Sequence, residues 1–147
     1  MGVALIVYHA EAGIGRHSRV NIWIPDQKDW RVEMNFENLD LALLLGYNLY
    51  NNWKGDLRLY IQCNDERNKR KAQAFLSRLQ HLTRLPLSDS EIIISPSLLD
   101  AIGHAKPADL NVFPLDMRDT NTIWKMRDAC GSVCLFCQDS GHESAIA

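Results

Sequence analysis

From Gly55 onward the hydrophobic pattern switches back and forth between a period of two and a period of about 3.6, and this alternation restricts the chain more than any other property. Leu57, Leu59, Ile61 and Cys63 recur at every second residue, with Arg58, Tyr60 and Gln62 between them, as in a strand. Asn64 or Asp65 then caps a helix whose apolar face is Ala72, Phe75, Leu76, Leu79 and Leu82, up to Pro86. The theme repeats, with strands expected at 91–95, 110–115 and 132–137 and helices at 97–105 and 121–130. Strands separated by helices predict an α/β fold, a parallel sheet with helices on both faces. The unbroken apolar runs Ile92-Ile93-Ile94 and Val133-Cys134-Leu135-Phe136 suit strands covered on both sides.

The N-terminal part reads differently. Val3–Tyr8 and Arg19–Ile24 are rich in β-branched residues, and the link at 10–18, with Gly13 and Gly15, is too short for a helical crossover. An N-terminal antiparallel edge hairpin is therefore expected, with Pro25 closing its second strand. Val32, Met34 and Phe36 alternate as a short third edge strand. Asn38 caps a helix to about Asn52, with Leu41, Leu44, Leu45, Asn48 and Leu49 as its stripe, widened by Leu39, Ala42 and Leu43. No repeat or linker divides the chain, so 1–147 is expected to be a single domain.

Composition narrows the function. With 147 residues, 46% of them apolar, the chain can bury a core without metal or disulfide staples. A formal charge of −2 excludes a polybasic nucleic-acid scaffold or membrane arm. The longest apolar stretch, Leu39–Tyr50, is broken by Asp40, Gly46 and Asn48 and falls short of the ~20 residues that cross a bilayer. The opening residues carry no positive region of the kind that starts a signal peptide. Cys63, Cys130, Cys134 and Cys137 lie on or beside apolar runs, which favours reduced thiols and a cytosolic address.

The motifs that carry chemistry fail on geometry. Cys130-x3-Cys134-x2-Cys137, with His142 nearby, has the spacing of a cluster-binding triplet. If 132–137 is a strand, however, Cys134 and Cys137 point to opposite faces and cannot share a metal. Gly13-x-Gly15 leads into a strand and not a helix, so no phosphate cradle forms there. The expected carboxyl-edge loops, Cys63-Asn64-Asp65-Glu66 and Leu115-Asp116-Met117-Arg118-Asp119, hold carboxylates and no glycine. The histidines are dispersed, and neither a metalloprotease helix nor a nucleophile elbow is present. No catalytic, cofactor or metal residue is assigned. Trp23, opposite Ile22 and Ile24, and Trp30 in the following turn either form an aromatic docking patch or are covered by the helix from Asn38.

Several segments resemble the cytoplasmic carboxy-terminal region of the cation-chloride cotransporter family, including prokaryotic members often labelled amino-acid permease-like. They are Asn21-Ile22-Trp23-Ile24, the Leu-rich run from Asn38 to Leu49, Trp53 followed by Leu57-Arg58-Leu59-Tyr60, Arg84-Leu85-Pro86, Ala108 to Phe113, and Asp139 to Ala145. The resemblance covers most of the chain and rests on the order and spacing of these segments.

It implies a universal-stress-protein-like sheet, a fragment of a longer membrane transporter, and a non-catalytic regulatory and dimerisation role on the cytoplasmic side of the cell membrane. The implied partners are a second copy and the membrane domain of the same transporter, with no nucleic acid, no cofactor and no direct membrane insertion by this chain. Ile22, Trp23, Ile24 and Trp30 are the candidate partner contacts. A nucleotide-binding sensor of stress-protein type is the alternative. It is weakened because Pro114-Leu115-Asp116-Met117-Arg118 stands where those proteins carry a glycine-rich stretch.

Overall fold

The apolar runs with period two become strands β1 (Val3–Val7), β2 (Arg19–Ile24), β3 (Asp56–Cys63), β4 (Asp89–Ile94), β5 (Leu110–Pro114) and β6 (Val133–Gln138). The helical-period segments become α1 (Leu39–Trp53), α2 (Glu66–Thr83), α3 (Leu98–Ile102) and α4 (Thr120–Cys130). This is a computed structural model, and it describes residues 2–13, 15–16, 18–30, 39–114 and 119–138. The strand expected at Val32–Phe36 lies outside the described residues.

The strands form one sheet in the order β1-β6-β5-β2-β3-β4. β2 through β6 run parallel, and β1 lies antiparallel on β6, pairing Val3 with Gln138 and Val7 with Cys134. The antiparallel N-terminal edge is thus present, but its partner is β6 and not β2. The reason is that parallel neighbours β3 and β5 take both edges of β2, while β6 keeps one edge free. The three inter-strand steps from β1 to β2 amount to about 14 Å, which the link at 8–18 spans easily.

Each face has its own core. Ile22, Ile24, Leu57, Leu59 and Ile61 pack under α1 and α2, which contribute Leu39, Ala42, Leu43, Phe75, Leu76 and Leu79. The other face carries Trp23, Tyr60, Phe113 and Phe136 under α3 and α4, which contribute Ala101, Ile102, Ile123 and Met126. The α1 stripe is rotated from its expected centre, since Leu39, Ala42, Leu43 and Gly46 are its buried residues. Gly46 sits at the closest approach, where Ile22 Cδ1 occupies the space of a β-carbon.

The helix starts follow local chemistry. Of the two candidate caps before α2, Asp65 is the one used, its carboxylate accepting from Asn68 N–H at 2.7 Å. Ser97 caps α3, which is shorter than the expected 97–105 because Gly103 closes it. Asp119 caps α4, and Gly131 ends it in the left-handed conformation at φ 59°.

Candidate functional site

Strand register assembles on the α3–α4 face something that the linear pattern hides. Asn21 on β2 stands beside Arg58 on one neighbour and Asn111 on the other. Arg58 in turn stands beside Asp89, and Asn111 beside Cys134. A polar row therefore crosses the sheet from β4 to β6. One pleat further along lies an aromatic row, with Trp23 stacked on Tyr60 at 4.9 Å and on Phe113 at 5.9 Å, and Phe113 on Phe136 at 5.5 Å.

The two rows are cross-linked. Trp23 Nε1 donates to Asn111 Oδ1 at 2.9 Å, and Asn111 Nδ2 donates to Ser132 Oγ at 2.9 Å. Asn21 Nδ2 donates to the Lys106 carbonyl at 2.9 Å, and Arg58 Nη2 to the Pro107 carbonyl at 2.7 Å. The α3–β5 loop is held again by Tyr60 Oη, which accepts from Lys106 N–H at 3.2 Å, and by the Lys106–Asp89 ion pair at 2.7 Å. The hydrogen bond in that pair lowers the Asp89 carboxyl and raises the Lys106 amine from their ordinary values. Beneath the loop is a cavity of about 220 Å³, reached by Asn21, Trp23, Ile102, Lys106, Asn111 and Cys130 among others.

At the loop's end Asp109 anchors the amino-terminal rim of the sheet. Its Oδ2 accepts from Ser18 N–H at 3.2 Å, Ser18 Oγ at 3.1 Å and Arg19 N–H at 2.9 Å. Burial pushes this carboxyl up, but the Ser18 donors, the Arg19 amide and the Arg19 guanidinium outweigh it and hold it below the usual range. Gly15, at φ 68°, lies against Asp109, and a β-carbon there would collide with the carboxylate.

The carboxyl rim is filled by the chain's own groups. Asp26 accepts from Asn64 N–H at 3.2 Å and from Asn68 Nδ2 at 2.9 Å, and Gln62 Nε2 donates to the Ser95 carbonyl at 2.8 Å. Asp65, Ser97 and Asp119 occupy amides at the starts of α2, α3 and α4. Those amides are the donors that a phosphate would need.

The thiols divide between the faces. Cys63 and Cys137 lie in the α1–α2 core and Cys134 in the α3–α4 core, with Cys130 packed beside it and partly exposed. Burial pushes Cys63 and Cys137 up to about 12, helped at Cys63 by the Asp26 and Asp65 charges. The hydrogen bond with Cys130, together with burial, pushes Cys134 up as well. Among the described residues no group of three or more metal-ligating side chains converges. His142 lies outside the described residues.

All four candidate contacts are interior. Ile22, Trp23 and Ile24 are fully buried and Trp30 is 6% exposed, so the aromatic docking patch does not form. Trp23 is sealed under α3 and α4 and not under the helix from Asn38, whereas Trp30 lies in the core that α1 and α2 share, packed at 5.4 Å on Phe75. The exposed apolar surface is elsewhere. Val3, Leu5, Ile6 and Tyr8 on and after β1 join Trp124 on α4, which is 49% exposed and has the Arg127 guanidinium 4.8 Å above its ring. Leu5, Tyr8, Ile123 and Trp124 line a groove of about 430 Å³ there. Sequence reading missed this surface because Val3–Val7 looks like a core strand. The available signal was Trp124, whose neighbours at helical spacing, Thr120, Asn121, Arg127 and Asp128, are polar.

Sheet order, helices on both faces and the two cross-linked rows define a doubly wound α/β domain with one antiparallel outer strand. The chain belongs to the family described as "Prokaryotic cation-chloride cotransporter, C-terminal domain, 2nd", which matches residues 15–146. A solved relative described as "Crystal structure of the cytoplasmic domain of a prokaryotic cation chloride cotransporter" has 32% identity and a TM-score of 0.85. The match covers 99% of this chain and 55% of that one, so this chain spans about half the length of the solved relative. Comparison with curated proteins gave no match. No helix among the described residues is long and apolar enough to cross a membrane.

Proposed function

We propose that this chain is a non-catalytic regulatory and assembly domain of a secondary transporter, positioned on the cytoplasmic side of the membrane and acting through protein contacts. The observation that carries this reading is the outer edge of β1. Among the described residues that strand pairs with β6 alone, and beside its outer edge stand the exposed Leu5, Ile6, Tyr8 and Trp124. The proposed occupant is a second copy, its own β1 laid across a twofold axis, so that one apolar patch covers its equal. Two membrane portions joined in this way would be coupled mechanically. The self-capped starts of α2, α3 and α4 weigh against a phosphate-reading sensor at the carboxyl rim.

The test is sedimentation of the chain and of Ile6→Asp and Trp124→Ser variants, together with transport by the full-length protein carrying them. The expected result is a dimer that dissociates in both variants without loss of thermal stability, with altered transport. A wild-type chain that stays monomeric at high concentration, combined with unchanged transport in the variants, overturns the proposal.

A further inference from the structure

Helix α2 is electrically unlike the rest of the chain. It holds five of the sixteen Lys and Arg but one of the eighteen Asp and Glu, which leaves eleven basic residues against seventeen acidic ones elsewhere. The formal charge of −2 thus excludes a polybasic tail but conceals one basic face. Ala72, Phe75, Leu76 and Leu79 turn one side of the helix into the core. Helical spacing puts Arg67, Arg70, Lys71, Arg78 and His81 on the opposite side, all exposed, with only the small Ala74 and Ser77 among them. From Arg67 to His81 the row is about 21 Å long.

Local stability does not account for this row. Arg67 stands in the first turn, where the positive end of the helix dipole disfavours a cation, and Arg67 with Lys71 is a like-charge pair four residues apart. The acid of the helix, Glu66, lies at its start, and Asp65 before it is occupied in capping Asn68 N–H. Among the described residues no ion pair takes Arg67, Arg70 or Lys71. Charge set out this way is matched by a surface of fixed negative charge. The face carries no exposed large apolar side chain, so its contact is electrostatic and stays at the level of a headgroup without insertion.

We propose that the exposed face of α2 docks on the anionic headgroups of the bilayer, with lipid phosphates taking Arg67, Arg70 and Lys71 and the row lying flat on the surface. The choice of a bilayer over another polyanion rests on the membrane-side placement proposed above. A flat plane of headgroups meets the row alone, whereas a flexible polyanion would also meet the acidic remainder of the chain. α2 packs on β3 and β4, at the opposite end of the sheet from β1, so this contact leaves the assembly surface open.

The experiment co-sediments the chain with vesicles of phosphatidylcholine alone and of phosphatidylcholine mixed with phosphatidylglycerol, with polyuridylate and polyglutamate as soluble competitors. Binding to the anionic vesicles only is expected, fading as salt rises from about 0.1 M to about 1 M. Arg70→Gln and Lys71→Gln should each weaken it about fivefold, and Arg70→Lys should keep it. Lys125→Gln, which removes the same charge from the exposed surface of α4, should leave it unchanged. The proposal is overturned by no binding to either vesicle, by equal binding to both, by unchanged binding in Arg70→Gln and Lys71→Gln, or by a competitor that strips the chain from the vesicles at equal charge concentration. The vesicles require neither a transporter nor a dimer, so failure here is separate from failure of the assembly reading, which the sedimentation and transport of Ile6→Asp report.

Discussion

Trp23 and Asn111, on adjacent parallel strands, are joined by an indole N–H that donates to a side-chain carbonyl at 2.9 Å inside the core. The bond lets a polar row and an aromatic row coexist on one buried face, because each polar atom that the tryptophan brings inside finds its match there. Trp23→Phe keeps the ring stack but strands Asn111 Oδ1 and leaves a small void, and should cost about 3 kcal/mol in urea unfolding. A cycle with Asn111→Leu should show the two losses to be non-additive by about 1 kcal/mol.

Gly55 and Gly46 should respond differently to alanine. A β-carbon on Gly55 would run into the Ser18 backbone carbonyl, the same oxygen that accepts from Asp56 N–H at 2.6 Å. Gly55→Ala should therefore lose about 3 kcal/mol, the upper end for overpacking, since backbone cannot step aside. At Gly46 the obstacles are Ile22 Cδ1 and Cγ1, side-chain atoms and not backbone, and alanine also favours the helix, so the cost should be smaller than at Gly55. Paired thermal melts give the order.

Acid should loosen the amino-terminal rim through Asp109. Its folded-state carboxyl lies below the ordinary value of 3.8, so its contribution is fully present above that value and disappears as pH falls through the lower, folded-state one. Asp109→Asn should destabilise the chain at neutral pH and make the stability curve flatter below about pH 4. Unfolding free energy measured from pH 7 down to pH 2 tests this, and a variant with the same acid slope as wild type would contradict it.

Thiol reactivity should separate Cys130 from the other cysteines. Cys63, Cys134 and Cys137 are buried with raised values, so their reactive thiolates are scarce at pH 8, whereas Cys130 is partly exposed. A thiol-reactive disulfide dye at pH 8 should consume Cys130 quickly and the other three only after urea is added. Because the raised thiols hold their protons in the folded state, their contribution is intact below the unfolded value and declines as pH rises from about 9 toward 12.

Much of the architecture was legible wherever pattern and geometry share a period. From Leu57 to Gln138 the switch between two and about 3.6 marks β3 through β6 and the helices between them, and the odd spacing of Cys134 and Cys137 alone separates their faces. The α1 face was harder because Leu39, Leu41, Leu43, Leu44 and Leu45 surround the helix with apolar residues, so packing under Ile22 decides the rotation. The β1 partner was not legible either, since it depends on which edge remains after the parallel crossovers are placed. The same holds for the polar row. Asn21 and Asn111 each look like a lone polar residue in an apolar strand, and only the register that pairs them, unknown from one strand alone, joins them.

The outermost strands carry opposite instructions. β4 carries the exposed Glu91, a charge that disfavours a strand laid against it, whereas β1 offers Val3, Leu5 and Ile6. Under the proposed twofold pairing of β1, such a sheet would join a like molecule once and then offer no second adhesive margin. That arrangement would close as a pair and not as a growing stack.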